Sequence, residues 1–325
     1  MKKPTPPEHA LRLLRAVQND LFGGPPVPTV APEPPEEPQE VEATPRFPVP
    51  KNLRTLFDPN TDRVMEAIRA LAPSELLTVH AEHLRRFPQS DVPWAAWAGT
   101  LQAALDEGVD ALCLLADDAR EATPKLFDGM PSGMRRVLQT QLVQHVMARR
   151  VAEDGDSARL SDGKPVGALA LEAGMLGTAE SFLVRAVEAD PSDGLASLYL
   201  GRLFEETWRP AEAFRCTLLG LWLEPAAESL VPIRHEEVLE LIDAADELEL
   251  EPAAAWAPVL ACLGSRLSSA QLVEILPDGP RTAPQRFVAE LERLRTLGPQ
   301  AEERLQVKRR LLAIEPLLKE QIRRL

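Results

Sequence analysis

The sequence predicts an all-helical chain assembled from antiparallel helical hairpins. Ala, Leu, Glu and Arg dominate, aromatics make up only 5%, and β-branched runs are rare, a mix that favours helix over sheet. No stretch alternates apolar and polar residues with the period of a half-buried strand. From residue 51 onward, helically spaced apolar residues come in blocks separated by short clusters of Pro, Gly, Asp and Ser.

Taken in order, residues 8–22 (EHALRLLRAVQNDLF) place Ala10, Leu14, Val17 and Leu21 on one face, with Leu11 beside it, and end at Gly23-Gly24. This is an amphipathic helix too short to be stable alone in water. Residues 25–50 are rich in proline and glutamate and read as a disordered, extended linker. In polyproline form that linker reaches roughly 80 Å. Residues 1–24 are thus a tethered helix, with Leu11, Leu14, Val17, Leu21 and Phe22 as the side chains that would meet a partner. Docking on the chain's own body is the equally weighted alternative.

The helical blocks that follow are expected over 60–72, 74–87, 91–107, 109–121, 131–152, 165–174, 177–189, 193–206, 210–223, 232–247, 252–263, 267–275, 283–296 and 299–323. Hairpins over 51–151 form an N-terminal section. The polar stretch 152–165 (AEDGDSARLSDGKP) is expected to be a mobile loop. Residues 166–325 form the second section. Pro316 should kink the last helix or divide it in two.

With 325 residues and 45% hydrophobic content, the chain can bury a large core or a stack of smaller ones. A formal net charge of -14 disfavours nucleic-acid binding except through a local basic patch. "MKKPTPPEHALRLL" lacks the continuous apolar core of a secretory leader, and no apolar run is long enough to span a bilayer. Cys113, Cys216 and Cys262 are far apart and set in apolar helical runs, which suits buried thiols in a reducing cytoplasm. The excess of arginine over lysine fits a GC-rich bacterial genome.

An internal repeat is visible. Pro191 and Pro225 each close a hairpin and lie 34 residues apart. Before Pro225 the chain reads Leu200-Gly201-x-x-Phe204, then Ala213 and Gly220; before Pro191 it reads Val166-Gly167-x-x-Ala170, then Ala179 and Ala186, at the same 34-residue period. A looser unit, Trp94-x-x-Trp97-Ala98-x-x-Leu101 followed by Ala111-x-x-x-Leu115, closes at Pro124. This pattern resembles the tetratricopeptide repeat, most clearly over 163–225. It departs from that signature at Ser197 and Gly163, where a tryptophan is expected, and at Thr217 and Leu183, where an aromatic is expected.

The resemblance implies an α-solenoid whose stacked hairpins need small residues where helices cross and bulky ones between. On that logic Gly201 and Gly167 are helix contacts rather than ligand contacts. The resemblance also implies that the first helix of each hairpin lines a binding groove. Lys164, Ala168, Leu171 and Glu172 would face it from one unit, and Leu195, Leu198, Arg202, Glu205 and Glu206 from the next. The Lys/Asn pattern of carboxylate-binding members is missing, since Lys164 is followed by Ala168 and Leu198 by Arg202.

Chemistry-bearing motifs are scarce. His80 and His83 lie one turn apart, but a metal site needs more ligands than two, so solvated or capping histidines are expected. Gly163-Lys164 lacks the upstream glycine and the following Ser/Thr of a phosphate loop. There is no Glu-x-x-His, Gly-x-Ser-x-Gly or Gly-x-Gly-x-x-Gly motif in a supporting context. Neither catalytic residues nor cofactors are expected.

Charge is unevenly spread: residues 236–251 hold eight carboxylates and no base. Residues 301–325 lean basic through Arg304, Lys308, Arg309, Arg310, Lys319, Arg323 and Arg324, with Leu305, Leu311, Leu312, Leu318 and Ile322 as an apolar face. A capping helix for the end of a solenoid is the leading reading of that segment. The sequence therefore points to a cytoplasmic scaffold or adaptor that binds protein. One alternative is a regulatory binder of nucleic acid or anionic membrane through the basic C-terminal helix. Another is an enzyme whose site forms between hairpins.

Overall fold

A computed structural model describes residues 59–121, 124–276, 281–298 and 301–325. The expectations for residues 1–24 and 25–50 lie outside the described residues. Among those described, every regular element is helical, and the one isolated bridge joins Arg159 to Pro165. They divide into two compact units, one ending at Val146 and one beginning at Met147.

The first unit holds α1 (Pro59–Arg69), α2 (Pro73–Arg86), α3 (Trp94–Glu107), α4 (Val109–Arg120) and the start of α5 (Ser132–Asp154). Pro73 sits in the first turn of α2, where its missing N–H costs nothing. Gly108, at φ 110, turns the chain between α3 and α4. α1 packs on α2, α2 on α3 and α3 on α4. Of the loose repeat unit, Trp94, Trp97, Ala98, Leu101 and Leu115 are buried, while Ala111 is half-buried and its neighbour Leu112 is buried. Buried Asp118 accepts backbone N–H bonds from Lys125 (2.9 Å) and Leu126 (3.1 Å), fixing the turn that follows α4.

The second unit holds α6 (Val166–Glu172), α7 (Leu176–Ala189), α8 (Gly194–Glu206), α9 (Pro210–Leu223), α10 (Glu236–Glu247), α11 (Ala253–Leu263), α12 (Ser269–Glu274), α13 (Ala283–Thr296), α14 (Glu303–Ile314) and α15 (Lys319–Arg324). Consecutive helices pack as α6/α7, α8/α9, α10/α11 and α13/α14, and α9/α11 and α11/α13 also touch. The expected last helix is divided at Pro316, where the short 3-10 turn Pro316–Leu318 separates α14 from α15. Its apolar face needs correction: Leu311, Leu318 and Ile322 are buried, but Leu305 is 59% exposed.

Residues 152–165 begin in the last turn of α5, form a loop over 155–165 and carry hydrogen bonds of their own. α5 runs on to Asp154, Ala158 is buried, Leu160 N–H donates to Lys164 O (2.8 Å), and Val166 N–H donates to Ala158 O (3.2 Å). Gly155 and Gly163 supply the left-handed turns, at φ 78 and 83. Arg159 reaches from this loop to Asp193 (2.5 Å), whose buried carboxylate also caps α8 through Ala196 N–H (2.8 Å).

Gly201 and Gly167 share one geometry. A Cβ at Gly201 would lie 2.4 Å from Thr217 Oγ1 and 3.0 Å from Thr217 N. A Cβ at Gly167 would lie 2.7 Å from Leu183 Cγ and 3.0 Å from Leu183 N. Both the glycines and the residues beneath them are 34 apart, so α6/α7 and α8/α9 cross at equivalent points. Thr217 and Leu183, departures from the repeat signature, are the residues that accept this approach. A third close crossing puts Gly220 against Leu198 and the carbonyl of Gly194.

Candidate partner-binding face

Among the described residues, five helices end in one backbone pattern, with the residue after the cap in the left-handed region: Leu71, Gly174, Trp208, Glu249 and Ser265. In each, that residue's N–H and the next one's reach back to the last turn; Trp208 N–H meets Glu205 O (3.1 Å) and Arg209 N–H meets Phe204 O (2.8 Å). Gly174 and Trp208 are one 34-residue period apart. A bulky residue at positive φ is strained by roughly 1–2 kcal/mol where glycine is not. Trp208 is also 91% exposed, at the tip between α8 and α9. Sequence reasoning missed it; the signal was a tryptophan standing one period after Gly174.

The groove residues divide into two sets. Leu171, Leu195 and Leu198, with Ala168, are buried rather than groove-facing. Leu198 is the residue that meets Gly220, so its position on α8 lies against α9 rather than outward. Lys164, Glu172, Arg202, Glu205 and Glu206 stay half-buried at the surface. Lys164 precedes α6 rather than lying on it.

Three of these five, Lys164, Glu172 and Arg202, lie with Asp162 in electrostatic reach of Tyr199, the chain's single tyrosine, which is itself buried. Lys164 Nζ lies 3.0 Å from Asp162 and 3.6 Å from Glu172, and Arg202 Nε donates to Glu206 Oε1 at 3.2 Å. Glu172 and Glu206 are period-mates, each carrying a cation. Burial pushes the Tyr199 phenol above its usual range, against the Lys164 and Arg202 cations. The Asp162 partnership raises the Lys164 ammonium. The result is a mixed-charge polar strip over a buried aromatic, suited to hydrogen-bonding a polypeptide surface.

Glu205 lies apart from that cluster. One of its carboxylate oxygens is buried without a hydrogen-bond partner, and burial pushes the group above the usual carboxylate range, against the nearby His235 and Arg234. His235 Nε2 lies 3.0 Å from Pro210 O, which makes that nitrogen the donor. A carboxyl with a raised folded pKa favours folding below its unfolded range and loses that contribution as pH rises through the folded value. Glu205→Gln should therefore raise Tm at neutral pH, with the gain shrinking toward about pH 4. Thermal unfolding at several pH values checks this.

Histidine and cysteine chemistry points inward. His83 is buried rather than solvated, with Nε2 2.9 Å from Ser90 Oγ and its ring centroid 4.8 Å from that of Trp94. Burial pushes the Cys216 and Cys262 thiols up to about 12. Among the described residues no group of three or more His, Cys, Asp or Glu is placed to hold a metal ion. None of the described helices is long and apolar enough to cross a membrane.

Part of the basic C-terminal charge is committed internally. Arg304 donates to Leu294 O (3.1 Å), Leu297 O (3.0 Å) and Leu325 O (3.0 Å), and Arg310 pairs with Glu290 at 2.9 Å. A cleft of about 680 Å³ opens beside α10, lined by Pro225, Ala226, Ile242 and Pro252 with Glu228, Asp243 and Asp246 among its walls. No protein-family model matches the chain, and no curated protein or solved structure is significantly similar to it.

Proposed function

We propose that the chain is a non-enzymatic interaction scaffold, or adaptor subunit, of a bacterial cytoplasmic assembly, built as a tetratricopeptide-like stack of hairpins. The observation that carries this reading is the glycine crossing repeated at 34 residues, Gly167 over Leu183 and Gly201 over Thr217. Hairpins crossing at one period expose equivalent residues at regular intervals, which is how repeat arrays form extended binding surfaces. Glu172 and Glu206, at one period and each with its cation, fit such a surface. The partner is a protein that meets the strip of Lys164, Glu172, Arg202 and Glu206, with Glu205 beside it.

Purifying the tagged full chain from its own cells at moderate salt tests the proposal. Specific co-retained polypeptides are expected; a chain that emerges alone overturns it. Deleting residues 1–50 then asks whether Leu11, Leu14, Val17, Leu21 and Phe22 dock on that partner, in which case retention falls.

A further inference from the structure

We infer that residues 8–22 of this same chain dock in the cleft beside α10, their apolar face on its apolar surface and the cations of residues 1–24 on its carboxylates. The inference is independent of what the strip around Lys164 binds. Pro225, Ala226, Ile242 and Pro252 make the cleft apolar, and exposed Glu228, Asp243 and Asp246 make it acidic, with no cation among its lining residues. Among the described residues, the one ion pair of α10 joins Glu237 to Arg266 at 3.7 Å, which leaves Asp243 and Asp246 uncompensated. The apolar surface extends past the cleft. Leu239, three residues before Ile242 and four before Asp243, shares their side of α10 and is 39% exposed. Leu230, next to the lining residue Ser229, is also exposed.

An open cleft of about 680 Å³ takes a row of side chains rather than one. Residues 8–22 offer that row, since Ala10, Leu14, Val17 and Leu21 recur at the spacing by which helices enter grooves. Charge selects the same segment. Residues 1–24 carry Lys2, Lys3, Arg12 and Arg15 against Glu8 and Asp20, a net positive stretch in a chain of net charge -14. Arg15 follows Leu11 by four residues and so borders the apolar face. A second basic stretch, 301–325, is already committed: Leu311, Leu318 and Ile322 are buried, and Arg304 and Arg310 bond to neighbouring helices.

The tether decides which copy supplies the segment. Residues 25–50 reach roughly 80 Å when extended, about four times the radius of gyration of a compact chain of this length. Tethering of this kind gives an effective concentration on the order of 1 mM. A docking Kd of about 100 μM then leaves the segment docked about ten times as often as free. Another copy at micromolar concentration cannot match that, and its own net charge of -14 opposes approach. A helix this short is marginal alone in water, so docking and helix formation go together.

Amide hydrogen exchange of the full chain, read by mass spectrometry, tests this. Residues 8–22 should exchange about tenfold more slowly than an unstructured peptide, equally at about 1 and about 50 μM protein. Leu14→Glu with Leu21→Glu should abolish that protection. So should Asp243→Lys with Asp246→Lys, both at exposed positions, while exchange across α8 and α9 stays as in wild type. Adding Lys3→Glu and Arg15→Glu to the doubly lysine-substituted chain restores opposite charges and should restore protection. An unprotected wild-type segment overturns the inference. Protection that survives the lysine substitutions places the segment elsewhere and overturns it too, as does a charge-reversed segment that stays unprotected. Protection that fades on dilution would mean that a second copy fills the cleft, and equally overturns it.

Discussion

Replacing Gly201 with alanine should lower stability by about 2 kcal/mol, although helix propensity alone argues for a gain of about 1 kcal/mol. The added Cβ would fall 2.4 Å from Thr217 Oγ1, 3.0 Å from Thr217 N and 3.3 Å from Ala213 O. Two of those three atoms are backbone, so relief requires α8 and α9 to separate. Overpacking of that kind lies at the upper end of about 1–3 kcal/mol and exceeds the propensity gain. Gly99 in α3 is the control. It is exposed, a Cβ there meets nothing within 4 Å, and Gly99→Ala should stabilise by about 1 kcal/mol. Thr217→Ala in the Gly201→Ala background removes the closest atom and should recover about 1 kcal/mol as a coupling term. Denaturant titrations followed by circular dichroism measure all three. Equal signs for Gly201→Ala and Gly99→Ala would contradict the packing role.

The second large effect is expected at Trp222. This side chain is 2% exposed near the end of α9, and its Nε1–H donates to the carbonyl of Leu272 in α12 at 2.9 Å. Trp222→Ala should cost about 3–5 kcal/mol through lost burial and the cavity left behind. Trp222→Phe keeps much of the ring but strands the Leu272 carbonyl, for a cost of about 1–3 kcal/mol. Chemical unfolding resolves the two. A phenylalanine variant as stable as wild type would mean that the indole bond contributes nothing. Nearby, Arg295 donates to Ser269 Oγ (2.8 Å) and Cys262 O (2.6 Å), while Ser269 Oγ donates to Glu292 (2.6 Å), so polar bonds also join α11, α12 and α13.

Much of this architecture was legible in the sequence, because helix boundaries are local. Proline at 73 and 210, glycine at 108 and the Asp193 cap mark their own positions whatever packs around them. The 34-residue spacing of Gly167 and Gly201 likewise identified a crossing point, since only a close approach makes glycine advantageous inside a helix. Assigning helix faces was harder. Leu171, Leu195 and Leu198 sit on helices apolar nearly all round, so periodicity could not say which side met α9 and which met solvent. The polar members Lys164, Glu172, Arg202 and Glu206 stayed at the surface, because burying a charge without full pairing is costly. Trp208 was hidden for a different reason. Its importance lies in a backbone angle and an exposure, and neither follows from residue type. In the loop 152–165, Gly155 and Gly163 make left-handed turns, and the hydrogen bonds between its ends could not be read from residue type.

The proposed binding strip is tested most directly by its charge. Lys164→Glu with Arg202→Glu reverses the two cations of the strip while leaving the glycine crossings and the buried leucines unchanged. Wild-type and doubly substituted chains, purified side by side from the same cells and checked for equal unfolding midpoints, should differ in what they retain. The account predicts that specific polypeptides held by the wild-type chain are lost from the variant. An identical set of retained polypeptides would contradict it.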